Sequence, residues 1–441
     1  MKLFAFLLAA VAMLPAGAAD DPNRFEPRAS EPYAIRGGLP NFYRKLHDGK
    51  DVRIAYFGGS ITAQNGWRVQ SLDYFRKLFQ NAKISEINAA IGGTGSDLGV
   101  FRLDADVLAH KPDLVFVEFA VNDAGARPLN IRRSMEGIVR QIRKRFPETD
   151  ICFVYTVTAA SVNDFKNGKL PRSASVMEEI ADHYAIPTVN MSYEVARLEK
   201  EGKLTMKDAR QVMTRVSGDE LNVESKIPTG EDGKIPFAGD GVHPYTNTGH
   251  VIYTQSLMRA LPVIGKAGSP GPHALPAPLQ ADCWDNTSAV PLNASGITLN
   301  GPYTELPATD PAARQFANRL PALWRFEPGA SIEFKFKGTK AMLYDLYGPD
   351  SAMIEVTVDG KSRRLRRMDG YCTYRRLALC PLADNLPDEV HTVKITVLPE
   401  KFDKREVLFE RNRGDFDKNP GKYAPYYYYA GKLFLVGELV K

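Results

Sequence analysis

A serine, an aspartate and a histidine in this sequence have the types and spacing that nucleophilic catalysis requires. Ser60 follows the apolar run Ile54–Phe57 and two glycines, and Asp240 and His243 lie close together on a later polar segment. A serine hydroxyl is a weak nucleophile at neutral pH, so it needs a base in hydrogen-bonding reach and a group that orients that base. We predict that Ser60 is the nucleophile, His243 its base and Asp240 the partner of His243. The alternative interpretations are a plain turn serine for Ser60 and a turn or capping residue for Asp240.

Acyl transfer also needs hydrogen-bond donors that face the charge developing on the carbonyl oxygen. The backbone N–H of Ser60, the backbone N–H of Gly93 and the side-chain amide of Asn122 are the candidates, because each follows a different predicted strand. Gly92 or Gly95 could replace Gly93 as the donor. Asn122 could instead close an Asx turn at the end of a strand.

The elements that must position these residues alternate between apolar runs of strand length and amphipathic segments of helix length. This alternation predicts βαβ units, hence an α/β domain whose parallel sheet is covered by helices on both faces in three layers. The carboxyl ends of such strands share one edge, where ligands bind. The predicted strands begin at Ile54, Ile84, Leu114, Ile151 and Ile186, and the predicted helices cover 67–79, 98–108, 131–146, 173–184 and 249–261. The polar segment 197–239 interrupts this rhythm, as lids and binding loops do.

A proline- and glycine-rich stretch, residues 265–280, is typical of a linker, and the hydrophobic period changes after it. Short alternating strands at 331–338, 354–360, 391–398 and 433–439 predict an all-β sandwich over residues 281–441. The first domain then covers residues 51–264, with residues 20–50 as an N-terminal extension packed on it. A chain of 441 residues is long enough for two domains.

Residues 1–19 have the positive start, short apolar run and small-residue end of a secretory signal. We expect cleavage near Ala18 or Ala19 and a secreted or periplasmic protein without stable membrane insertion. The apolar run is short for a membrane span, which takes about 20 residues. The net charge of +5 is small for this length and does not indicate a nucleic-acid partner.

Four cysteines do not make a disulfide scaffold, and a bridge between Cys372 and Cys380 is left open. No His/Cys group has the spacing of a zinc site, so we predict no metal ligand and no cofactor.

The second domain has a group of arginines that we interpret as a solvated face, with acidic sugars as the alternative partner. These arginines are Arg363, Arg364, Arg366, Arg367, Arg375 and Arg376. The run Tyr426–Tyr429 is interpreted as part of a strand, with sugar stacking as the alternative.

Four short motifs occur in the order of the sequence blocks of the SGNH (GDSL) hydrolase family. They are Gly58-Gly59-Ser60, Gly93, Asn122-Asp123 and Asp240-Gly241-Val242-His243-Pro244, and the resemblance spans residues 51–262. It implies Ser60 as nucleophile, His243 as base, Asp240 as its partner, and Gly93 and Asn122 as oxyanion donors. Two positions depart from the family: Gly59 stands where the family has an aspartate, and Ala120 where it usually has a glycine.

The second domain resembles the jelly-roll modules attached to secreted carbohydrate esterases. Phe336–Thr339, the Asp359-Gly360 turn and His391–Val393 carry this likeness. Together the two resemblances imply a serine esterase that removes O-acyl groups, acetyl above all, from an acylated glycan. A lipid or thioester acylhydrolase and a non-catalytic glycan-binding protein are the alternatives. The sugar and the oligomeric state are not determined by the sequence.

Overall fold

The computed structural model of this chain describes residues 21, 23–209 and 226–441. The predicted signal segment, residues 1–19, lies outside the described residues. The described chain forms a six-stranded α/β sheet followed by a ten-stranded antiparallel sheet. The predicted fold class is therefore confirmed.

The first sheet has the strand order β1-β6-β5-β4-β2-β3, in which every neighbouring pair is parallel except β1 and β6. Its inner strands are continuous apolar runs, because helices cover both faces and leave no solvent side. All residues of β4 and β5 are buried. The strands are β1 (Tyr33–Ala34), β2 (Val52–Gly58), β3 (Ile84–Asn88), β4 (Leu114–Glu118), β5 (Asp150–Tyr155) and β6 (Thr188–Asn190).

The helices of this domain follow the predicted alternation, with ends that differ from the predictions by a few residues. The segment Ser192–Lys200 is a helix that was not predicted, and its last four residues lie in the polar segment 197–239. The helices are α1 (Pro40–His47), α2 (Ser60–Ala63), α3 (Trp67–Leu78), α4 (Ser96–Asp106), α5 (Pro128–Arg145), α6 (Val162–Lys166), α7 (Arg172–His183), α8 (Ser192–Lys200) and, after two further strands, α9 (Gly249–Ile264).

The strand order creates a switch point between β2 and β4. From β2 the chain moves outward to β3 on one side, and from β4 it continues through β5 and β6 on the other. The helices that follow β2 and β4 thus leave a crevice at the carboxyl ends of these two strands, which is where open α/β sheets bind ligands.

The segment 197–239, predicted as a lid or binding loop, contains a small parallel sheet of its own. Its strands are β7 (Leu204–Lys207) and β8 (Ile235–Ala238). Residues 210–225, the middle of this segment, lie outside the described residues.

Residues 265–280 contain no helix or strand, yet they are held on the surface of the first domain. Asn41 exchanges hydrogen bonds of 2.9 and 2.8 Å with the backbone of Gly271. His273 Nε2 lies 2.7 Å from Asp150 Oδ1, and Arg143 donates to the carbonyl of Ala274 at 2.6 Å. The proline- and glycine-rich stretch is therefore an ordered segment bound to the surface of the α/β domain.

The second domain is built on β13, a strand twice as long as predicted. Its first half pairs with β17 and its second half with β16, while β18 runs along its other side. Gly338, which the sequence pattern indicates as a strand end, lies at a register shift in the pairing with β18. The strands are β9 (Thr287–Pro291), β10 (Ile297–Asn300), β11 (Tyr303–Glu305), β12 (Trp324–Phe326), β13 (Ser331–Tyr347), β14 (Met353–Val358), β15 (Lys361–Arg366), β16 (Arg376–Ala383), β17 (Glu389–Val397) and β18 (Tyr428–Val440).

Alternate residues of these strands fill one apolar interior, as in Phe334 and Phe336 of β13. Asp359 and Gly360 form the predicted two-residue turn between β14 and β15, with φ of 48° and 79°. Short helices complete the domain: α10 (Pro311–Phe316), α11 (Lys404–Val407), α12 (Arg413–Lys418) and α13 (Pro420–Tyr423).

All four cysteines of the chain are free and buried, so Cys372 and Cys380 form no bridge.

The two domains share a packed boundary. Phe101 of α4 stacks on Phe434 of β18 with ring centroids 5.4 Å apart, and Arg319 pairs with Asp106 at 3.3 Å. The core cluster of the first domain continues across this boundary through Phe316 and Tyr344. The second domain therefore has a defined position relative to the edge of the first sheet.

Candidate active site

Ser60 is the first residue of α2, directly after the end of β2. The turn between the two elements leaves no room for side chains: a Cβ on Gly58 would lie 2.6 Å from the carbonyl oxygen of Glu118, and one on Gly59 would lie 2.0 Å from Asn122 Oδ1. Glycines are therefore required at both positions. The Ser60 N–H belongs to the first turn of a helix, whose N–H groups have no partner within the helix.

Asp240 and His243 lie on the loop between β8 and α9. This loop is fixed by a hydrogen bond of 2.7 Å from the Ala159 N–H to the Gly241 carbonyl, after β5. Gly241 has φ of 81°, and a Cβ there would meet Ala159 at 3.0 Å. The loop can approach β5 this closely because Gly241 has no side chain.

The structure brings the three predicted catalytic residues into one line of hydrogen bonds. His243 Nε2 lies 2.9 Å from Ser60 Oγ, and His243 Nδ1 lies 2.6 Å from Asp240 Oδ2. A carboxylate can only accept, so Nδ1 must carry the imidazole proton. Nε2 is then free to accept the proton of the Ser60 hydroxyl, which is the arrangement that general-base activation needs.

Asp240 is held in its charged form by its own loop. Burial by itself would raise the pKa of Asp240, but hydrogen bonds from the His243 side chain and from the backbone amides of His243 and Val242 together lower that pKa to about 2. The two backbone amides donate to Oδ1 at 2.8 Å each. One carboxylate oxygen thus fixes the loop and the other orients the imidazole.

Two of the predicted oxyanion donors lie on segments that contact the turn carrying Ser60. A Cβ on Gly59 would lie 2.0 Å from Asn122 Oδ1, so the Asn122 side chain packs against this turn. A Cβ on Gly92 would lie 3.5 Å from the Ser60 Cβ, which puts the loop of Gly92 and Gly93 directly beside the serine. Gly93 is exposed and has φ of 73°.

The structure shows the surroundings of the two positions that depart from the family pattern. At position 59 the space that an aspartate would need is filled by Asn122. At position 120 an alanine is accommodated in a buried environment, and its carbonyl accepts a hydrogen bond of 2.6 Å from Ser173. Asn122 is thus packed against the turn that carries Ser60.

Glu118 is a functional-site residue that the sequence reading missed. It is fully buried at the end of β4, and it accepts hydrogen bonds from Thr62 of α2 at 2.9 Å and from Thr156 after β5 at 2.7 Å. Burial raises the pKa of Glu118 to about 7, although the hydrogen bonds from Thr156, Thr62 and the Gly59 amide act in the opposite direction. One carboxyl group therefore connects the nucleophile turn to two neighbouring strand ends. The sequence signal is a charged residue inside the apolar strand Leu114–Phe119.

Asp123 and Arg102 fix the ends of the elements that surround the site. Asp123 is buried and accepts from the Ser96 N–H at 3.0 Å, which fixes the start of α4 after the glycine loop. Burial raises the pKa of Asp123 to about 7. Arg102 donates to the carbonyls of Ala89 and Gly58, the ends of two strands, and stacks over Phe57.

His250 is close to the site but is engaged in packing. Its ring accepts from the Trp67 N–H at 3.2 Å, and its other nitrogen lies 3.2 Å from Gln64 Oε1. Burial, with smaller contributions from His243 and Arg68, lowers the pKa of His250 to about 3. The ring is therefore neutral and fixes the chain between α2 and α3.

Two other kinds of feature are not found among the described residues. No group of three or more His, Cys, Asp or Glu side chains among them could hold a metal ion. None of the described helices has the length and hydropathy to cross a membrane.

Comparison with known proteins agrees with the motifs and with the fold. Residues 56–212 match the family model described as GDSL-like Lipase/Acylhydrolase family. The resemblance drawn from the motifs is thus confirmed for this part of the chain. A search of the curated proteins found no match.

The chain is similar over both domains to solved structures of a two-domain esterase active on acetylated mannans. The structure co-crystallised with mannopentaose aligns with a TM-score of 0.67 and 20% identity, covering 93% of this chain and 98% of that chain. A second structure of such an esterase gives a TM-score of 0.68 and 20% identity, covering 92% and 97%. At this identity the likeness establishes a shared two-domain fold.

Proposed function

We propose that this chain is a serine esterase that removes O-acyl groups, acetyl above all, from a carbohydrate. The observation that carries the proposal is the hydrogen-bonded series Asp240–His243–Ser60, with Oγ of Ser60 2.9 Å from the base. The GDSL-like domain that contains Ser60 supports the hydrolase class.

The reaction proceeds in two steps through an acyl-enzyme. Ser60 Oγ attacks the ester carbonyl carbon while His243 Nε2 takes the hydroxyl proton. The negative charge on the carbonyl oxygen is stabilised by donors beside Ser60: its own N–H, the Asn122 amide and the N–H of Gly93 or Gly92. The bond to the sugar oxygen then breaks, and His243 returns the proton to that oxygen.

Water completes the cycle by the same route. His243 takes a proton from the water as it attacks the acyl-enzyme carbonyl, and the bond to Ser60 Oγ then breaks with return of that proton to the serine. The products are the deacylated glycan and the free acid. Asp240 stays ionised throughout, because its pKa of about 2 is far below neutral pH.

An open site favours a polymer as the substrate. The side chains of His243 and Asp240 are 40% and 55% exposed, so the ester reaches them from the surface rather than from an enclosed channel. The two-domain structures to which the chain is similar belong to an esterase active on acetylated mannans. Acetylated polysaccharides, mannans first among them, are therefore the substrates to test. The amino-terminal signal pattern supports a secreted or periplasmic location, where such polymers occur.

The proposal is tested with purified protein on a small acetyl ester and on a panel of acetylated polysaccharides. We expect release of acetate from the small ester and from at least one polysaccharide, and covalent labelling of Ser60 by a serine-reactive phosphonate. Hydrolysis of long-chain lipid esters or thioesters in preference to acetylated glycans would support the alternative acylhydrolase. Glycan binding without labelling or turnover would show that the chain is a binding protein on a hydrolase scaffold.

A further inference from the structure

A cleft of about 560 Å³ lies between the two domains, beside Ser60. One wall is the loop Ile91–Gly95 of the first domain, and the other is the segment Tyr374–Leu379 of the second; we call this space the interdomain cleft. A Cβ on Gly92 would lie 3.5 Å from the Ser60 Cβ, so the cleft opens next to the nucleophile. A substrate whose ester is at Ser60 and which extends along this loop must contact the second domain.

The second wall has a fixed position because packed side chains cross the domain boundary behind it. Phe316 and Tyr344 line the cleft and also belong to the core cluster of the first domain. The stacking of Phe101 on Phe434 and the pair of Arg319 with Asp106 hold the same boundary. The wall is thus ordered before a ligand arrives, which reduces the entropic cost of binding.

The surface of the cleft combines an exposed aromatic residue with polar side chains. Tyr374 is 59% exposed. Thr94, Asp97 and Gln315 line the same space, and Asp97 and Gln315 are exposed. An aromatic ring beside accessible polar groups suits a sugar, which has an apolar ring face and hydroxyl edges.

The charges of the cleft favour a neutral sugar. Arg375 pairs with Asp350 at 2.5 Å, and Arg376 pairs with Asp369. Both guanidinium charges are therefore balanced within the second domain. Asp97, an exposed carboxylate on the first-domain wall, would oppose a negatively charged ligand. Because Arg375 and Arg376 are paired with carboxylates, the structure does not favour the alternative in which they bind acidic sugars.

We propose that the interdomain cleft is a subsite for the unmodified sugar units that flank the acylated residue of a neutral oligosaccharide, with Tyr374 as the ring that the sugar stacks on. This inference rests on the proposed esterase function, and it assigns the second domain a direct part in substrate binding. The cleft increases the affinity for an oligosaccharide. It does not affect a small ester, which is too short to reach it.

The experiment compares Tyr374→Ala with the wild type on two substrates, p-nitrophenyl acetate and an acetylated oligosaccharide chosen from the polymers that the wild type deacetylates. We expect kcat/KM on the oligosaccharide to fall about tenfold, mainly through KM, and kcat/KM on p-nitrophenyl acetate to stay unchanged. Tyr303→Ala is the matched control, because Tyr303 is 43% exposed on the same domain, lies on the edge strand β11 and does not line the cleft. It should leave both substrates unaffected.

A binding measurement separates failure of this inference from failure of the esterase function. Calorimetry on the inactive Ser60→Ala protein with the pentasaccharides of mannose, xylose and glucose should show binding of at least one, weakened about tenfold by Tyr374→Ala. Binding of this kind without any turnover by the wild type would refute the esterase function and keep the subsite. The subsite is refuted if Tyr374→Ala changes neither oligosaccharide kinetics nor pentasaccharide binding, if it weakens both substrates equally, or if no pentasaccharide binds.

Discussion

Nε2 of His243 lies 2.9 Å from Oγ of Ser60, although 183 positions separate the two residues in the chain. The serine is carried by the first turn after β2, and the histidine by the loop that precedes α9. Their contact depends on β8 and on the end of β5, which together hold the histidine loop over the switch point. Catalysis therefore depends on how these separate elements pack.

Replacing Ser60 with alanine should abolish esterase activity and leave the fold intact. The substitution removes one half-buried hydroxyl at the start of α2 and no apolar packing. We expect kcat on p-nitrophenyl acetate to fall by about 10⁴–10⁶-fold. The thermal unfolding midpoint should stay within a few degrees of the wild type. Activity above a hundredth of the wild-type value would show that another group is the nucleophile.

Asp240→Asn should lower kcat by about 10³–10⁴-fold with a small change in KM, because a neutral amide no longer fixes the His243 tautomer or stabilises its cation. In the wild type the pKa of Asp240 is depressed to about 2 from an ordinary 3.8. Its ionised form stabilises the fold above pH 4, and this contribution is lost as the pH falls toward 2. The stability difference between wild type and Asp240→Asn in urea should therefore shrink from pH 5 to pH 2. A difference that stays constant over this range would contradict the assigned pKa.

Gly59→Ala should damage catalysis through Asn122. The added Cβ would lie 2.0 Å from Asn122 Oδ1, so the amide must move away from the nucleophile. Loss of one oxyanion donor costs about 10²–10³-fold in kcat, and we expect a loss of this size from Asn122→Ala and from Gly59→Ala. The double variant should lose little more than either single variant, because both remove the same donor. Gly125→Ala is the control, since a Cβ there meets nothing within 4 Å. Fully additive losses would argue against this coupling.

Glu118→Gln should flatten the dependence of stability on pH. The folded protein retains the Glu118 proton up to a pKa of about 7, whereas the unfolded chain releases it near 4.5. The free energy of unfolding therefore falls as the pH rises from about 4.5 to 7, by at most about 1.4 kcal/mol per pH unit for this group. The substituted amide cannot titrate, so the slope should decrease in the variant, with a remaining part from Asp123, whose pKa is also raised to about 7. Urea unfolding at half-unit steps measures both slopes, and equal slopes would refute the assignment.

Export predicts a shortened amino terminus. If residues 1–19 are a secretory signal, the protein recovered outside the cytoplasm should begin at Ala19 or Asp20. Intact mass and amino-terminal sequencing of protein produced with its own leader decide this. Recovery of the full-length chain in the cytoplasm alone would contradict the proposed location.

Much of the first domain could be predicted because its signals are local. The helix predicted at 67–79 is α3, and the apolar run predicted from Leu114 is β4. Ser60, Asn122, Asp240 and His243 were identifiable because each follows a strand end or lies in a short motif of chemically suitable residues. The two small strands β7 and β8 were missed, since four residues in a polar segment give too little periodicity to be recognised.

The sequence by itself determined the two-domain α/β and all-β architecture and indicated the candidate residues for acyl transfer, because side-chain type and hydrophobic period are properties of short segments. Only the tertiary structure decided the strand order, and with it the switch point at which Ser60, Asn122 and the glycine loop meet. It also decided the burial of Glu118 next to the turn that carries Ser60, and the place of Tyr374 on the interdomain cleft that opens beside that turn. These relationships join segments far apart in the chain. They arise from packing between elements, and no local pattern in the sequence specifies them.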